Sequence, residues 1–256
     1  MILAVDIGNT HICLGTAEGD SVRQIARLVS DPLRTENEYA VLMRQMLAFE
    51  GIAADGFEGA ILSSVVPPLT GTMKQAIQIV TGKDALVVGS GIKTGLNIRI
   101  DDPAQLGGDL AVGAVAALHE CKPPMVVLDM GTATTISVIN GKGEFLGGAI
   151  APGLGLSITA LAERTSQLPD IPIEAPAKCI GRNTIDCMKS GAVFGTASMI
   201  DGMISRIEEE LGEETTVIAT GGLAARVIPH CRHAVRYDSD LLLKGLAVLW
   251  QKNRKK

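Results

Sequence analysis

The sequence predicts an α/β protein with two domains, because the chain is long, strand patterns alternate with helical ones, and one motif occurs twice. The chain has 256 residues, which suffices for two domains of roughly 120 residues each. Apolar strand patterns followed by helical patterns in both halves are typical of α/β folds. Pro123 and Pro124 end a helical pattern just before the second half. The predicted domains are therefore residues 1–120 and 121–256.

The motif that occurs twice is an apolar run that ends on an aspartate and is followed by a glycine and threonines. It reads Met1-Ile-Leu-Ala-Val-Asp6-Ile-Gly8-Asn-Thr10 in the first half and Met125-Val-Val-Leu-Asp129-Met-Gly131-Thr132 in the second. Each run predicts a strand that is buried on both faces. The aspartate at its end would point beyond the edge of the sheet, so two such units could place two carboxylates around one cleft.

Helical patterns account for most of the chain between the predicted strands. A capping box of Thr35 and Glu38 begins the first helix. Apolar or amphipathic patterns predict further helices over residues 109–119, 155–168, 183–211 and 241–250.

Three more strands follow from local patterns. Each repeated motif leads into a second strand, over residues 12–16 and 136–139, and an Asn-Gly pair favours a hairpin after the latter. A late strand over residues 217–220 runs into Gly221 and Gly222, whose bare backbone is a candidate shelf for adenine or ribose.

Composition excludes several classes of partner. The net charge is −5, the isoelectric point is about 5.4 and aromatic residues make up 3%, which disfavours binding to nucleic acid or anionic lipid. The five cysteines are an odd number without a C-x-x-C pair, as expected for reduced thiols. Neither a signal peptide nor an apolar stretch of about 20 residues is found. We therefore expect a cytoplasmic protein that binds neither nucleic acid nor a membrane.

The loop that begins at Asp6 has the chemistry of a phosphate site. Gly8 lets backbone N–H groups approach an anion, and Asn9 and Thr10 add hydrogen-bonding side chains. An aspartate beside phosphates requires a metal ion between them, so the loop predicts a nucleotide–Mg²⁺ site. A single copy is also typical of an ordinary turn, but its repetition favours the nucleotide site. The sequence contains neither a complete P-loop nor a metal-ligand spacing of histidines.

Two predicted helix starts allow both a structural and a functional interpretation. Asp109 follows Gly107 and Gly108 at the start of a buried helix, where it could simply cap the helix. Alternatively, it is a carboxylate at the edge of a cleft that accepts the proton of an attacking hydroxyl group. Asn183 and Thr184 likewise cap the longest helix or present its N–H groups to an anion or hydroxyl.

Taken together, six segments resemble the type III pantothenate kinases, a family within the superfamily of sugar kinases, hsp70 and actin. The resemblance covers nearly the whole chain, in the family's order and approximate spacing. The segments are residues 6–10, 107–110, 129–135, 146–153, 180–184 and 219–222.

The resemblance implies a fold of duplicated ribonuclease H-like domains with an interdomain ATP cleft. It implies transfer of the ATP γ-phosphate to pantothenate, the first step toward coenzyme A, by a homodimer whose partner chain helps to close the acceptor site. Asp109 matches the proton acceptor, and Asp129 matches the ligand of a monovalent cation, K⁺ or NH₄⁺, which is required alongside Mg²⁺. The matches to the ATP contacts are Asp6, Ile7, Gly8, Asn9, Thr10, His11 and Thr132. The matches to the pantothenate site are Gly107, Gly108, Asp109, Leu110 and Thr184.

Two departures from the family pattern concern the acceptor. Leu110 stands where the family usually has an arginine for the pantothenate carboxylate, and Ile100 stands where it often has a tyrosine. Two alternatives therefore stay open: a kinase of the same fold with a different, neutral acceptor, and a non-catalytic ATP-binding regulatory paralogue. The aspartates at positions 6, 109 and 129 argue against the second, because a pure binder needs no base.

Overall fold

The computed structural model describes residues 1–19, 21–89 and 91–254, which form two compact units. Unit 1 comprises Met1–Leu96, Asp101–Glu120 and the stretch that begins at Asp240. Unit 2 comprises Asn97–Ile100 and Cys121–Ser239.

Unit 1 contains a five-stranded sheet in the order β3-β2-β1-β4-β5. The strands are β1 (Ile2–Ile7), β2 (His11–Glu18), β3 (Ser21–Val29), β4 (Gly59–Ser64) and β5 (Ala85–Val87). Its α-helices are α1 (Glu36–Phe49), α2 (Pro67–Thr81), α3 (Gly108–Glu120) and α7 (Leu241–Asn253).

Unit 2 contains a six-stranded sheet in the order β11-β10-β7-β8-β9-β6. The strands are β6 (Asn97–Ile98), β7 (Met125–Met130), β8 (Ala133–Ile139), β9 (Glu144–Pro152), β10 (Thr216–Thr220) and β11 (Val235–Tyr237). Its α-helices are α4 (Leu154–Arg164), α5 (Thr184–Leu211) and α6 (Ala224–Val227).

The two sheets share one topology. In unit 1, β1 pairs antiparallel with β2 and parallel with β4. In unit 2, β7 pairs antiparallel with β8 and parallel with β10. The order β3-β2-β1-β4-β5 therefore corresponds to β9-β8-β7-β10-β11, with β6 added at one edge. This repetition confirms the predicted α/β class with duplicated ribonuclease H-like domains.

The C-terminal helix requires a correction of the predicted domain limits. The sequence predicts a second domain of residues 121–256, whereas α7 belongs to unit 1. Its apolar side chains, such as Leu243 and Leu246, share a buried cluster with Val112 of α3. The backbones of the two helices approach so closely that a Cβ atom at Gly245 would overlap the carbonyl group of Val112. Removal of the apolar face of α7 from water stabilises its packing on unit 1, although more than 100 residues separate α7 from α3 along the chain.

Local signals set the helix starts as predicted. Thr35 caps α1, and a complete capping box with Glu38 is present, as the sequence indicates. Asn183 caps α5, which continues without a break for 28 residues despite its glycines. The helix predicted over residues 155–168 is shorter and ends at Arg164. Among the described residues, none of the helices is both long enough and apolar enough to cross a bilayer.

Candidate active site

The first repeated motif forms the turn between β1 and β2. The N–H group of Gly8 donates a hydrogen bond of 2.9 Å to the carbonyl oxygen of His11 and closes the turn. Ser30 supports the turn from the end of β3, since its hydroxyl donates to the carbonyl oxygen of Gly8 at 2.6 Å. The backbone N–H group of Ser30 also donates to the carbonyl oxygen of Thr10 at 3.0 Å. The turn is thus fixed while the side chains of Asn9 and Thr10 stay exposed, where they can contact an anion.

Within this motif, side chains differ in what they can contact. Ile7 is 1% exposed and packs in the core with residues of α1 and α2, so it could contact a nucleotide only through its backbone. His11 is exposed at the start of β2. Its partial burial, and then the positive charge of Arg27, lower the pKa of its imidazole. The neutral form of His11 is therefore favoured beside the turn.

Asp6 lies on the face of the first sheet that α3 covers. Side chains alternate along a strand, and Ile2 and Ala4 share a cluster with Val112 and Val115 of α3. Asp6 continues this row and is 8% exposed. The carboxylate of Asp6 therefore points to the same side of the sheet as α3.

Asp109 is in the first turn of α3 and belongs to the same unit as Asp6. Burial raises the pKa of its carboxyl group, partly offset by hydrogen bonds from the N–H groups of Leu110 and of Asp109 itself. The carboxyl group lies against the backbone at Gly107, where an added Cβ atom would be 2.5 Å from Oδ1. Gly107 thus leaves the space that this carboxyl group occupies. Asp109 is the second residue of α3 rather than the residue before it, so it stabilises the first turn from within the helix, and its partly buried carboxyl group stays a candidate base.

The second repeated motif forms the turn between β7 and β8 in unit 2. Asp129 is half-buried near the end of β7 and lies beside Thr135 of β8 and Thr220 of β10. The N–H group of Gly131 donates to the carbonyl oxygen of Ala133 at 3.0 Å, which closes the turn. Thr132 is exposed at its tip. As the duplicated sequence predicts, a glycine N–H group closes both turns, but the second turn is one residue shorter than the first.

Two glycines allow neighbouring backbone to pack directly on this second turn. Gly153 donates its N–H to the carbonyl oxygen of Thr132 at 3.1 Å, and a Cβ atom on it would be 2.5 Å from the carbonyl oxygen of Gly131. Gly221 has a φ of +95°, and a Cβ atom on it would lie 2.6 Å from the backbone of Met130. The candidate adenosine shelf after β10 is therefore in contact with the backbone of β7.

Thr184 is exposed at the first position of α5, next to its cap Asn183. The capping interpretation is confirmed for Asn183, whose side-chain oxygen accepts from the N–H group of Asp186 at 2.9 Å. Thr184 also lines a largely apolar cavity of about 520 Å³ between α4 and α5. Other lining residues include Leu154, Ile158, Leu161, Met188 and Met199.

The carboxylates of the site do not form a preformed metal cage. Among residues 1–19, 21–89 and 91–254, no group of three or more His, Cys, Asp or Glu side chains could hold a metal ion. Mg²⁺ commonly binds through one or two carboxylates together with substrate phosphates and water. A single carboxylate such as Asp6 fits a Mg²⁺ ion that arrives with a nucleotide.

Some residues that support the site were not identified from the sequence. Ser30 follows β3, and nothing in its neighbourhood distinguishes it from other surface serines. Gly153 ends the segment 146–153 that resembles the family, but the sequence does not indicate that it packs on the Thr132 turn. Ser63 is fully buried beside Asp6 on β4 and belongs to no motif. Each of them depends on contacts between segments that are distant along the chain.

Comparison with known proteins gives a consistent picture. The family model of the type III pantothenate kinases matches residues 2–206. A type III pantothenate kinase from Brevibacillus brevis is 42% identical over 256 residues, covering 99% of this chain and 100% of that protein. A type III pantothenate kinase from Pelobacter propionicus is also 42% identical, over 254 residues, with the same coverage. The activator of the 2-hydroxyisocaproyl-CoA dehydratase from Clostridium difficile, solved with bound ADPNP, has a TM-score of 0.54 at 12% identity, covering 100% of this chain and 98% of that one; this likeness concerns the fold alone.

Proposed function

The chain belongs to the type III pantothenate kinase family, and we propose that Asp109 is the base in its phosphorylation of pantothenate by ATP. The product is 4'-phosphopantothenate, which makes the enzyme the first kinase of coenzyme A biosynthesis. The observation that carries the role of Asp109 is its partly buried carboxyl group at the start of α3, on the face of the sheet to which Asp6 points. A base in this position can take the proton of the attacking primary hydroxyl group.

The Asp6 turn is the proposed site of the ATP phosphates. Its fixed backbone and the exposed side chains of Asn9 and Thr10 supply donors for phosphate oxygens. Asp6 would hold Mg²⁺ that accompanies ATP, and the ion would neutralise charge on the transferring phosphoryl group. Thr132 offers a hydroxyl group from the second turn, and the glycines after β10 leave room for the adenosine.

Asp129 is the proposed ligand of a monovalent cation, K⁺ or NH₄⁺. A single carboxylate in a turn rich in backbone carbonyl groups is a suitable donor set for K⁺, which commonly binds carbonyl oxygens. Such an ion would balance negative charge on a phosphate oxygen.

The apolar cavity beside Thr184 supports a homodimer. Its walls carry Leu161, and Ile185 stands next to Thr184; both side chains are exposed, at 45% and 46% respectively. Covering such a surface removes apolar area from water. A second copy of the chain seated there would bring its own residues next to Thr184, which is proposed to bind pantothenate.

A cytoplasmic location is proposed from the state of the cysteines. All five are free thiols, and Cys179 and Cys187 are exposed. Exposed reduced thiols persist in the reducing cytoplasm rather than in oxidising compartments.

A coupled assay of ADP release tests the function directly. With ATP, Mg²⁺ and K⁺, we expect turnover that depends on pantothenate and falls when Na⁺ replaces K⁺. Turnover only with another alcohol would favour the kinase of different acceptor specificity. Absence of turnover with every alcohol in the panel would favour the non-catalytic paralogue.

Leu110 provides a second test, because a leucine cannot form the ion pair with the pantothenate carboxylate that an arginine at this position would form. We expect Leu110→Arg to lower the KM for pantothenate about 10- to 150-fold, the effect of one hydrogen bond to a charged group. A neutral amide analogue of pantothenate is the control, and its KM should stay unchanged. An equal change for both compounds would show that residue 110 does not face the carboxylate.

A further inference from the structure

Ser63 is a fully buried polar residue near the end of β4. It is 0% exposed, and within residues 1–19, 21–89 and 91–254 its hydroxyl group has no hydrogen-bond partner. Burial of an unsatisfied hydroxyl group disfavours folding, and such groups are rare in native proteins. Alanine would fill this position more favourably, so packing alone does not explain the serine.

The position of Ser63 is fixed by the pairing of two central strands. It is the register partner of Asp6 in the parallel pair of β4 and β1, and adjacent strands are about 4.8 Å apart. Ile61, two residues earlier on β4, belongs to the cluster that contains Val112 of α3. Because side chains alternate, Ser63 points to the same face as Ile61 and Asp6.

The first turn of α3 lies directly over this hydroxyl group. Ser63 Oγ is 3.7 Å from the position that a Cβ atom would take on Gly108, and Asp109 is the next residue. The carboxyl group of Asp109 rests against the neighbouring Gly107. Two consecutive glycines give this turn backbone freedom that other residues lack. The hydroxyl group of Ser63 and the carboxyl group of Asp109 therefore both border the pair Gly107-Gly108.

We propose that Ser63 is a positioning residue for phosphoryl transfer, whose hydroxyl group donates a hydrogen bond to the Asp109 carboxylate when the first turn of α3 closes on the acceptor. The bond would fix the orientation in which Asp109 accepts the proton of the substrate hydroxyl group. A carboxylate accepts only, and a serine hydroxyl is a suitable donor to it. This inference rests on the proposed role of Asp109.

The test compares Ser63→Ala with Ser64→Ala in the assay of ADP release. We expect Ser63→Ala to lower kcat about 10- to 150-fold, as for loss of a hydrogen bond to a charged group. The KM for ATP should change less than about twofold, because Ser63 is fully buried and the ATP phosphates are assigned to the exposed side chains of the Asp6 turn. The melting temperature should stay equal or rise, since an unsatisfied buried group is removed.

Ser64 is the matched control on the same strand. Its hydroxyl oxygen accepts from the N–H group of Val66 at 3.1 Å and from the hydroxyl group of Thr70 at 3.0 Å. Ser64→Ala should therefore lower the melting temperature and leave kcat near that of the unmodified protein. Ser63→Ala should therefore lower kcat without lowering the melting temperature, whereas Ser64→Ala should lower the melting temperature without lowering kcat.

Three results would overturn the proposal. One is a normal kcat in folded Ser63→Ala, and another is an equal loss of kcat in Ser64→Ala, which would indicate a general structural effect. The third comes from Asp109→Asn, measured in parallel. If that variant keeps its turnover, the proposed base is wrong and Ser63 has nothing to position. If only Ser63→Ala keeps its turnover, the base stands and the role of Ser63 alone is excluded.

Discussion

Replacing Asp109 by asparagine is expected to lower turnover by about 10²- to 10⁴-fold, the usual contribution of a general base. Asparagine has nearly the same shape and can still accept the hydrogen bond from the N–H group of Leu110, but it cannot take a proton. The affinity for ATP should stay nearly unchanged, because the phosphates are assigned to the Asp6 turn. Steady-state kinetics and nucleotide binding by calorimetry measure the two quantities separately.

The pH dependence provides a check within the same experiment. Burial raises the pKa of Asp109, so kcat/KM of the unmodified enzyme should fall on the acid side at a higher pH than for an ordinary aspartate. The raised pKa also means that Asp109 stabilises the fold only at low pH, and this contribution is lost as the pH rises through its folded-state pKa. Asp109→Asn should therefore be at least as stable as the unmodified protein at neutral pH.

The control for this substitution is Glu36→Gln in the first turn of α1. It also removes a negative charge from a helix N-terminus, which is worth about 0.3–1 kcal/mol of stability. Turnover should be unaffected. Near-normal turnover in Asp109→Asn would remove Asp109 from the role of base.

Replacing Gly153 by alanine is expected to lower the free energy of unfolding by about 1–3 kcal/mol, as for overpacking of a buried position. The added Cβ atom would meet the carbonyl oxygens of Gly131 and Thr132, which are backbone atoms and cannot rotate away. The second turn must then shift, so we also expect a higher KM for ATP. Thermal unfolding and steady-state kinetics measure the two effects.

Gly71 in α2 is the matched control, because a Cβ atom there has no atom within 4 Å outside its own helix turn. Alanine in a helix interior is more favourable than glycine by about 0.5–1 kcal/mol, so Gly71→Ala should stabilise the protein. Unchanged stability and an unchanged KM in Gly153→Ala would show that the contact with the Thr132 turn relaxes at no cost.

The parts of the fold that could be predicted are those whose signals are local. The repeated motif predicted β1 and β7, because a buried run followed by Asp and Gly is recognisable within ten residues. The capping box at Thr35 predicted the start of α1 for the same reason. By contrast, α2 was not predicted. The domain assignment of α7 was wrong, because its partners Val112 and Val115 are far away along the chain.

The residues of the candidate site also divide into those with a local sequence signal and those without one. Asp6 and Asp109 were found because glycines flank them in a recognisable order, and the structure places them in one unit, on one side of its sheet. Ser63 could not be found, because its neighbours Leu62 and Ser64 form no pattern. Its importance depends on strand register and on the position of α3, and neither can be read from the local sequence.

The return of α7 to unit 1 has a consequence for biosynthesis of the protein. Residues 1–120 leave the ribosome first, but the face of the first sheet that buries Leu243 and Leu246 stays uncovered until residues 241–253 have been made. Domains that are continuous in sequence can fold in the order of their synthesis, whereas unit 1 cannot be completed in that order. All helices of unit 2 are synthesised before α7. Unit 2 can therefore finish folding before unit 1, although most of it is translated later.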